Sequence, residues 1–370
     1  MKITPKKINF FILTLFIISI FFLPVIFPNK YHVGILNIIG IYTILTIGLN
    51  LLMGYAGQIS LGHAAFFGIG AYTSAILTTH NLADKFHFPG FLSCACHLPW
   101  VAAIIAIVIT SIIALIIAIP TLKLHGHYLA MATLGIGIVV YIFLKEESWM
   151  TGGSDGLVGV PSLKILGLSL DSEWNIFGFK MERDKNFYYL IWFTTIILLI
   201  LSQNLINSRV GRALRSIHSS EIASATLGVN VAQYKIKVFV LSAIYSSIAG
   251  SLYAHYMQFV SPGSFGFVFS IKLVTMVVIG GMASLWGAVV GAFVLTLIPE
   301  NLYLVTNFFE HNLSMVVAKI QSPQDLETII YGLILMVVMI FLPQGLTKGV
   351  VDIFRLTTKK DELKKSGEKI

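Results

Sequence analysis

Residues 33–79 read VGILNIIGIYTILTIGLNLLMGYAGQISLGHAAFFGIGAYTSAILTT, and this stretch contains no Asp, Glu, Lys or Arg. A helix needs about 20 mostly apolar residues to cross the hydrocarbon core of a bilayer. The stretch is long enough for two such helices, at residues 33–53 and 60–79. Between them, the glycines of Gly54-Tyr55-Ala56-Gly57 are expected to break the helix. The sequence therefore predicts two membrane spans separated by an interruption.

The same composition extends over the whole chain of 370 residues, of which 56% are hydrophobic and 11% are charged. Soluble domains usually contain about 25% charged residues, so this chain cannot cover a water-facing surface of its own size. A soluble enzyme, a nucleic-acid-binding domain and a disordered chain are thereby excluded. The expected fold class is all-α, a polytopic membrane helical bundle.

The basic residues are clustered along the chain. The net charge of +8 could suggest nucleic-acid binding, but the positions of these residues indicate a membrane topology instead. Fifteen of the 25 Lys and Arg residues lie in three short polar segments, within residues 2–7, 209–237 and 348–369. Basic clusters that flank apolar runs are typical of cytoplasmic loops in membrane proteins. All three segments are therefore expected on the cytoplasmic side.

An apolar run from residue 266 to residue 300 is too long for one ordinary span. The sequence Gly280-Gly281-Met282-Ala283-Ser284 lies near its middle, and the run divides there into two short spans at residues 267–281 and 285–300. Two spans return the basic C-terminus to the side of the segment 209–237, whereas one span would leave it outside. The positive-inside rule therefore favours a helical hairpin.

These arguments predict about ten spans, with both termini in the cytoplasm. The segment 9–28 is interpreted as a retained first span, because no small-x-small cleavage site follows it. The transmembrane domain covers residues 1–350, and a basic cytoplasmic tail at 351–370 is expected to be disordered. The other predicted spans are 99–120, 127–145, 187–203, 236–257 and 327–343.

The longest outward loop, at residues 146–186, is rich in Asp and Glu. Its turn-rich part, residues 151–156, is followed by alternating apolar residues around 163–179, which predict a small β-hairpin on the outer surface. An ordinary solvated loop is the alternative.

Catalytic motifs are missing from the sequence. No Walker A sequence is present, so the chain itself is not expected to hydrolyse ATP. Cys94, Cys96 and His97 have no obvious fourth ligand, which favours two incidental thiols over a metal site. No cofactor is expected in this chain. Ionisable residues within the spans are few, which argues against ion coupling.

The segment 47–74 is dense in Gly and Ala, and its interruption allows two interpretations. A broken helix at membrane depth often lines a solute cavity, because its freed backbone groups need partners. Close helix packing through small residues is the alternative. Close packing is the main interpretation of the hairpin glycines Gly280, Gly281, Gly287 and Gly291.

The basic segment 204–235 contains signals for a short helix of about seven residues. Ser219 or Ser220 can cap its start and Gly228 can end it, which leaves Ile222, Ala225 and Thr226 on one side. Such a helix suits a groove on a partner protein. Alternatively, the segment is a loop whose cations only set the topology.

Five motifs at these positions resemble the permeases of branched-chain amino acid ABC importers, of the LivM type. The resemblance runs in order from about residue 35 to residue 350. Its motifs are GLNLLMGYAGQISLGHAAFFGIGAY at 48–72, TGGSDGLVGVPSL at 151–163, SRVGRALRSIHSSEIASATLGVNVAQYK at 208–235, SPGSFGF with VVIGGMASLWGAVVGA at 261–292, and FLPQGL at 341–346.

The resemblance implies import of Leu, Ile or Val across the bacterial cytoplasmic (inner) membrane. The implied partners are a second, homologous permease, two ATP-binding cassette ATPases that hold ATP and magnesium, an extracytoplasmic solute-binding protein and membrane lipid, but no nucleic acid. Related permeases carry urea, short amides or other amino acids, so these solutes remain alternatives to Leu, Ile and Val. Two other classes of function are also alternatives: a stand-alone channel or secondary carrier, and a membrane anchor without a transport role.

Two sets of candidate site residues follow from the resemblance. The family's ATPase-coupling loop has an acidic-Ala-Ala pattern followed by Gly, which this chain matches loosely because Ile222 occupies a usual alanine position. The coupling candidates are Arg212, Arg215, Glu221, Ala225 and Gly228. The translocation-pathway candidates are Gly54, Tyr55, Gly57, Gln58, Ser60 and His63.

Overall fold

A computed structural model describes residues 5–26, 29–79, 98–122, 124, 126–165, 168–176 and 179–310, together with positions 333 and 336. These residues form twelve α-helices and six short strands. The helices are α1 (Pro5–Ile26), α2 (Lys30–Asn50), α3 (His63–Thr79), α4 (Pro99–Thr121), α5 (His127–Glu146), α6 (Ser148–Thr151), α7 (Arg183–Asn207), α8 (Arg209–Ser219), α9 (Glu221–Thr226), α10 (Val231–Met257), α11 (Phe267–Gly280) and α12 (Leu285–Glu310). The strands are β1 (Leu157–Val158), β2 (Lys164–Ile165), β3 (Leu168–Ser169), β4 (Trp174–Ile176), β5 (Phe179–Met181) and β6 (Phe259–Val260).

The helices confirm the all-α membrane bundle. Each of the first nine predicted spans coincides with one helix, and the apolar run 266–300 forms α11 and α12 as two separate helices. Among the described residues, five helical segments are long and apolar enough to cross a membrane: Lys30–Tyr55, α4, α5, α7 and α10. Apart from positions 333 and 336, the predicted span 327–343 lies outside the described residues, as do the tail 351–370 and Cys94 and Cys96.

The central helix of the bundle is α2, and α4 and α5 lie at its edge. In the most apolar part of Lys30–Tyr55, 83% of the residues are buried, against 28% in α4 and 17% in α5. The buried side of α4 is a stripe of small residues, and its outer side carries exposed Ile, Val and Leu. Small residues allow helices to approach closely in lipid, where apolar side chains gain little by leaving the acyl chains. The stripe consists of Ala102, Ala106, Thr110, Ala114 and Ala118.

Helices α3 and α10 approach each other closely near this centre. A Cβ added at Gly70 would lie 2.5 Å from the Cα of Ser247, so a side chain there would separate the helices. Hydroxyl and imidazole groups bridge the same interface: the Ser246 Oγ lies 2.6 Å from the His63 Nε2, and the Ser74 Oγ lies 2.8 Å from the His255 Nε2. Packing and polar contacts therefore join α3 and α10 into one rigid pair.

The long loop before α7 contains the predicted β-structure, as two hairpins rather than one. Strand β2 pairs with β3, and β4 pairs with β5, both antiparallel. A third pair, β1 with β6, ties the loop to the end of α10. Asp171 strengthens this tie, because it accepts from the Gln258 Nε2 at 2.7 Å and pairs with the Arg183 Nε at 2.9 Å. The loop is thus fastened to the start of α7 and to the end of α10.

The hairpin of α11 and α12 is packed through its glycines. A Cβ at Gly280 would overlap the carbonyl oxygen of Gly287, and one at Gly291 would overlap that of Met276. Gly281 turns the chain after α11 with a φ of 114°. The predicted packing glycines therefore lie at the contact between the two helices.

Replacing Gly291 by Ala should lower the thermal unfolding midpoint of the detergent-solubilised protein. The added methyl group must displace the Met276 backbone, and overpacking of this kind costs about 1–3 kcal/mol. Gly135→Ala in α5 is the matched control, because a Cβ there meets no atom within 4 Å. Its midpoint should stay unchanged or rise slightly, since Ala favours a helix over Gly. Equal midpoints for both variants would contradict the packing role of Gly291.

Candidate functional site at the break between two helices

The break lies between α2 and α3 and is longer than the sequence predicts. After Asn50 the helix widens into a π-helix at Leu51–Tyr55, which ends at Ala56. Gly54, predicted to break the helix, lies inside this π-helix. Gly57 has a φ of +69°, a left-handed conformation that favours glycine and ends the helix. The non-helical stretch runs from residue 56 to residue 62.

Side chains of other helices satisfy backbone groups that the break sets free. The N–H of Leu61 donates to the Thr133 Oγ1 of α5 at 3.1 Å, and the N–H of Ala64 donates to the Ser270 Oγ of α11 at 3.3 Å. Within hydrocarbon an unsatisfied backbone group costs several kcal/mol, so such partners are required. The break is therefore held by two helices that are distant in sequence.

Asn50, the last residue of α2, joins this break to the turn between α11 and α12. Its Nδ2 donates to the Ser284 carbonyl oxygen at 2.6 Å, and its Oδ1 accepts from the Ala283 N–H at 3.0 Å. Gly54 lies against the same turn, because a Cβ there would overlap the Ala283 nitrogen. Asn50 was not among the residues predicted from the sequence, although an amide within an apolar span, a feature it shares with Asn37, was an available signal.

Three of the pathway candidates carry buried polar atoms without a protein partner. Both amide atoms of Gln58, the Ser60 Oγ and the His63 Nδ1 make no hydrogen bond in the described part of the chain. These side chains are 2%, 1% and 1% exposed. Buried polar atoms are normally hydrogen-bonded, so four free ones within six residues require an explanation. They mark the break as a place where a polar ligand would gain hydrogen bonds.

The other three pathway candidates have different surroundings. Gly54 packs against the α11–α12 turn, and Tyr55 is buried at the end of the π-helix. Gly57 is exposed and lies against the side chain of His218 on α8. Gln58, Ser60 and His63 therefore remain as the polar part of the predicted set.

The basic segment after α7 folds into two short helices with the capping predicted from the sequence. The Ser220 Oγ accepts from the Ala223 N–H at 3.2 Å and begins α9, which is six residues long. Gly228 has a φ of +83° and ends the turn, with its N–H donating to the Ala225 carbonyl oxygen at 3.0 Å. Local side-chain and backbone bonds thus fix the bounds of α9.

Of the coupling candidates, Glu221 and Arg215 have defined partners. Glu221 pairs with the Lys235 Nζ of α10 at 2.5 Å, and the Lys235 side chain is 5% exposed. The Arg215 Nη2 donates to the Ile206 carbonyl oxygen at 3.2 Å. Arg212, Ala225 and Gly228 are exposed. Glu221 therefore fastens α9 to α10, and Lys235 is a part of the site that the sequence analysis did not identify.

An apolar pair projects from α9 into solvent. Ile222 and Leu227 are each 82% exposed, although both are large aliphatic side chains. Ile222 belongs to the face predicted for partner binding, whereas Leu227 was missed. Among the described residues, no group of three or more His, Cys, Asp or Glu could hold a metal ion.

A multi-span bundle with a broken helix near its centre and a short capped helix projecting between two spans is typical of a membrane transport permease. The chain belongs to the family described as "Branched-chain amino acid transport system / permease component", whose model matches residues 31–339. It is a multi-pass protein of the cytoplasmic membrane, and its family consists of transport subunits.

Curated relatives carry matching names. The chain is 31% identical over 347 residues to the high-affinity branched-chain amino acid transport system permease protein LivM of Escherichia coli K12, covering 90% of this chain and 74% of that protein. The LivM of Salmonella typhimurium gives the same identity and coverage. The permease LivH of Escherichia coli K12 is 25% identical over 277 residues, covering 72% of this chain and 84% of LivH. No solved structure matches the chain.

Two buried amides should respond oppositely to removal of their polar atoms. Asn50→Leu should lower the free energy of unfolding by about 1–3 kcal/mol or more, because it leaves the Ala283 N–H and the Ser284 carbonyl unpaired. Gln58→Leu removes an amide that bonds to nothing in the described protein, so stability should stay the same or rise. Thermal unfolding in detergent measures both. A destabilisation by Gln58→Leu as large as that by Asn50→Leu would show that the Gln58 amide is structurally paired.

Proposed function

We propose that this chain is a permease subunit that imports Leu, Ile or Val, driven by ATP hydrolysis in partner chains. The observation that carries the proposal is the break at residues 56–62, where Gln58, Ser60 and His63 have buried polar atoms without a hydrogen-bond partner in the described chain. Interrupted spans of this kind contribute solute-binding groups in many transporters. The names of the LivM and LivH relatives supply the solute class.

The proposed assembly follows from what this chain offers. A second, homologous permease completes the pathway, as the paired LivM and LivH names suggest. Two ATPase subunits bind ATP and magnesium, and an extracytoplasmic binding protein delivers the amino acid to the side of the loop at 146–186. This loop and the α8–α9 segment lie at opposite ends of α7, so they serve opposite sides of the membrane. The positive-inside rule places α8, α9 and both termini in the cytoplasm.

Helix α9 is the proposed docking element for an ATPase. It presents Ile222 and Leu227 to solvent, and the Glu221–Lys235 ion pair fixes its orientation against α10. Exposed aliphatic side chains on a rigid helix suit an apolar groove on a partner. A nucleotide-driven movement of the ATPase would then shift α9, and the cavity would change between its outward-open and inward-open forms.

Reconstitution in liposomes tests the proposed function. The chain with the second permease, both ATPases and the binding protein should take up leucine only when ATP is present inside. The chain without ATPases should give no leucine flux. Passive or ion-driven flux from the chain alone would instead support a stand-alone carrier. Uptake of urea or short amides in place of leucine would assign another solute of the same family.

Ile222→Asp should weaken binding of the ATPase without unfolding the permease. The side chain is 82% exposed, so the charge costs little in the free chain but must be desolvated in an apolar groove. Loss of a central apolar anchor should weaken affinity by about tenfold or more, measured as ATPase retained on the purified permease.

Val158→Asp provides the matched control for Ile222→Asp. Val158 is 75% exposed but lies on the loop at the opposite end of α7. This variant should retain the ATPase at the normal level. Equal retention in the two variants would exclude α9 as the docking element.

A further inference from the structure

Helix α8 touches the break directly, through the side chain of His218. The position that a Cβ would occupy on Gly57 lies 2.7 Å from the His218 Nδ1, and 3.4 Å from both its Cγ and its Cε1. The imidazole ring thus lies against a stretch of backbone that has no side chain. Glycine suits this position, because its φ of +69° disfavours other residues and because a Cβ would force the exposed His218 ring to move.

Helix α8 is held firmly enough to transmit a displacement. Its inner face, formed by Gly211, Leu214 and Ile217, is buried in the bundle. Its first turn is capped by the Ser208 Oγ, which accepts from the Val210 N–H at 3.1 Å. The Arg215 guanidinium also bonds to the end of α7. Helix α8 is therefore held in place by the bundle, so a force on one end can displace it as a unit.

The connection from α8 to α9 is equally short. Ser220 alone separates the two helices, and its N–H donates to the Ser216 carbonyl oxygen at 3.0 Å while its side chain caps α9. A shift of α9 must therefore move the C-terminal turn of α8, which carries His218. No flexible linker lies between the exposed Ile222 and the ring that touches Gly57.

The receiving side of the contact is the compliant part of the bundle. Residues 56–62 lack regular helical hydrogen bonds, and Gly57 and Ile59 are exposed. Gly57 is followed directly by Gln58, whose amide atoms are both unpaired. A push on the Gly57 backbone would therefore reorient the Gln58 side chain before it disturbs the paired α3 and α10.

We propose that His218 is the positioning residue through which the α8–α9 segment controls the break at Gly57 and Gln58. The inference rests on the proposed function, since the driving movement comes from an ATPase docked on α9. It adds a specific contact: the imidazole of His218 against the bare backbone of Gly57. The ring acts through van der Waals contact with the Gly57 backbone. The volume of the side chain near the Nδ1 position therefore matters more for this coupling than its charge.

Labelling of the break by a maleimide tests this contact in the complete liposome-reconstituted complex. The chain contains only two cysteines, so Cys94→Ser and Cys96→Ser give a thiol-free background. Ile59→Cys then places a single thiol on the break, at a position where the native side chain is 41% exposed. The labelling rate is measured with and without ATP, together with leucine uptake and co-purification of the partners.

The parent, carrying the three cysteine changes, should show an ATP-dependent labelling rate. His218→Ala should reduce that ATP effect by about fivefold or more, the lower end of ordinary coupling between sites, while the partners still co-purify. His218→Asn should restore most of it, because the Asn amide places an atom close to the Nδ1 position. Ser219→Ala, an exposed neighbour on α8 that bonds only within its helix, should behave like the parent.

Two failures can be told apart. An unchanged ATP effect in His218→Ala, with uptake intact in the parent, would overturn the role of His218. A parent complex that shows neither leucine uptake nor an ATP-dependent labelling rate would overturn the proposed function, and the coupling contact with it. A loss of the ATP effect in Ser219→Ala equal to that in His218→Ala would assign the effect to α8 as a whole and so contradict a specific contact.

Discussion

The hydrogen bonds of Asn50 are the interaction on which the membrane part of this protein depends. A polypeptide that leaves helical geometry inside hydrocarbon must find partners for its freed backbone groups. The helices of this chain are interrupted at residues 56–62 and again at 281–284. Asn50, which lies shortly before the first interruption, makes hydrogen bonds to the backbone of the second. Thr133 and Ser270 accept hydrogen bonds from the N–H groups of Leu61 and Ala64 at the first break. The end of α2 is thus tied to the turn at 281–284, and α5 and α11 are tied to the first break.

The small residues give this arrangement its rigidity. In lipid, apolar side chains gain little by leaving the acyl chains for a protein interior, so helices associate where their backbones can approach closely. The α3–α10 pair and the α11–α12 hairpin use this device through Gly70 and Gly291, whereas a Cβ at Gly135 of α5 would meet no atom of the described chain within 4 Å. The bundle therefore combines a tightly packed centre with an outer helix, α5, that is largely exposed, while α4 packs against α3 and α10 through its small residues.

The sequence predicted the elements of this fold well and their contacts poorly, for a physical reason. Span positions depend on the composition of contiguous residues, and the division of the run 266–300 follows from charge, so both could be derived. The capping of α9 by Ser220 is equally local. Burial could not be derived, because lipid and protein interior are both apolar and a hydrophobic pattern does not distinguish them. Contacts such as Asn50 with Ser284, Glu221 with Lys235 and Gly57 with His218 join residues far apart in the chain, and nothing in their local sequence encodes the partner.

The polar groups of the break fall into two kinds, those with a hydrogen-bond partner and those without one. The N–H groups of Leu61 and Ala64 have partners from other helices, whereas Gln58, Ser60 and His63 keep four side-chain atoms unpaired in the described protein. Each buried unpaired atom costs about 1–3 kcal/mol, so this conformation carries a penalty that protein contacts do not offset. A polar solute would lower the penalty, and a rearrangement that exposes the break to water would also lower it. A segment that is held at one end, at Leu61 and Ala64, but whose side chains are unsatisfied is therefore biased toward change, which is the physical property that an alternating permease needs at its centre.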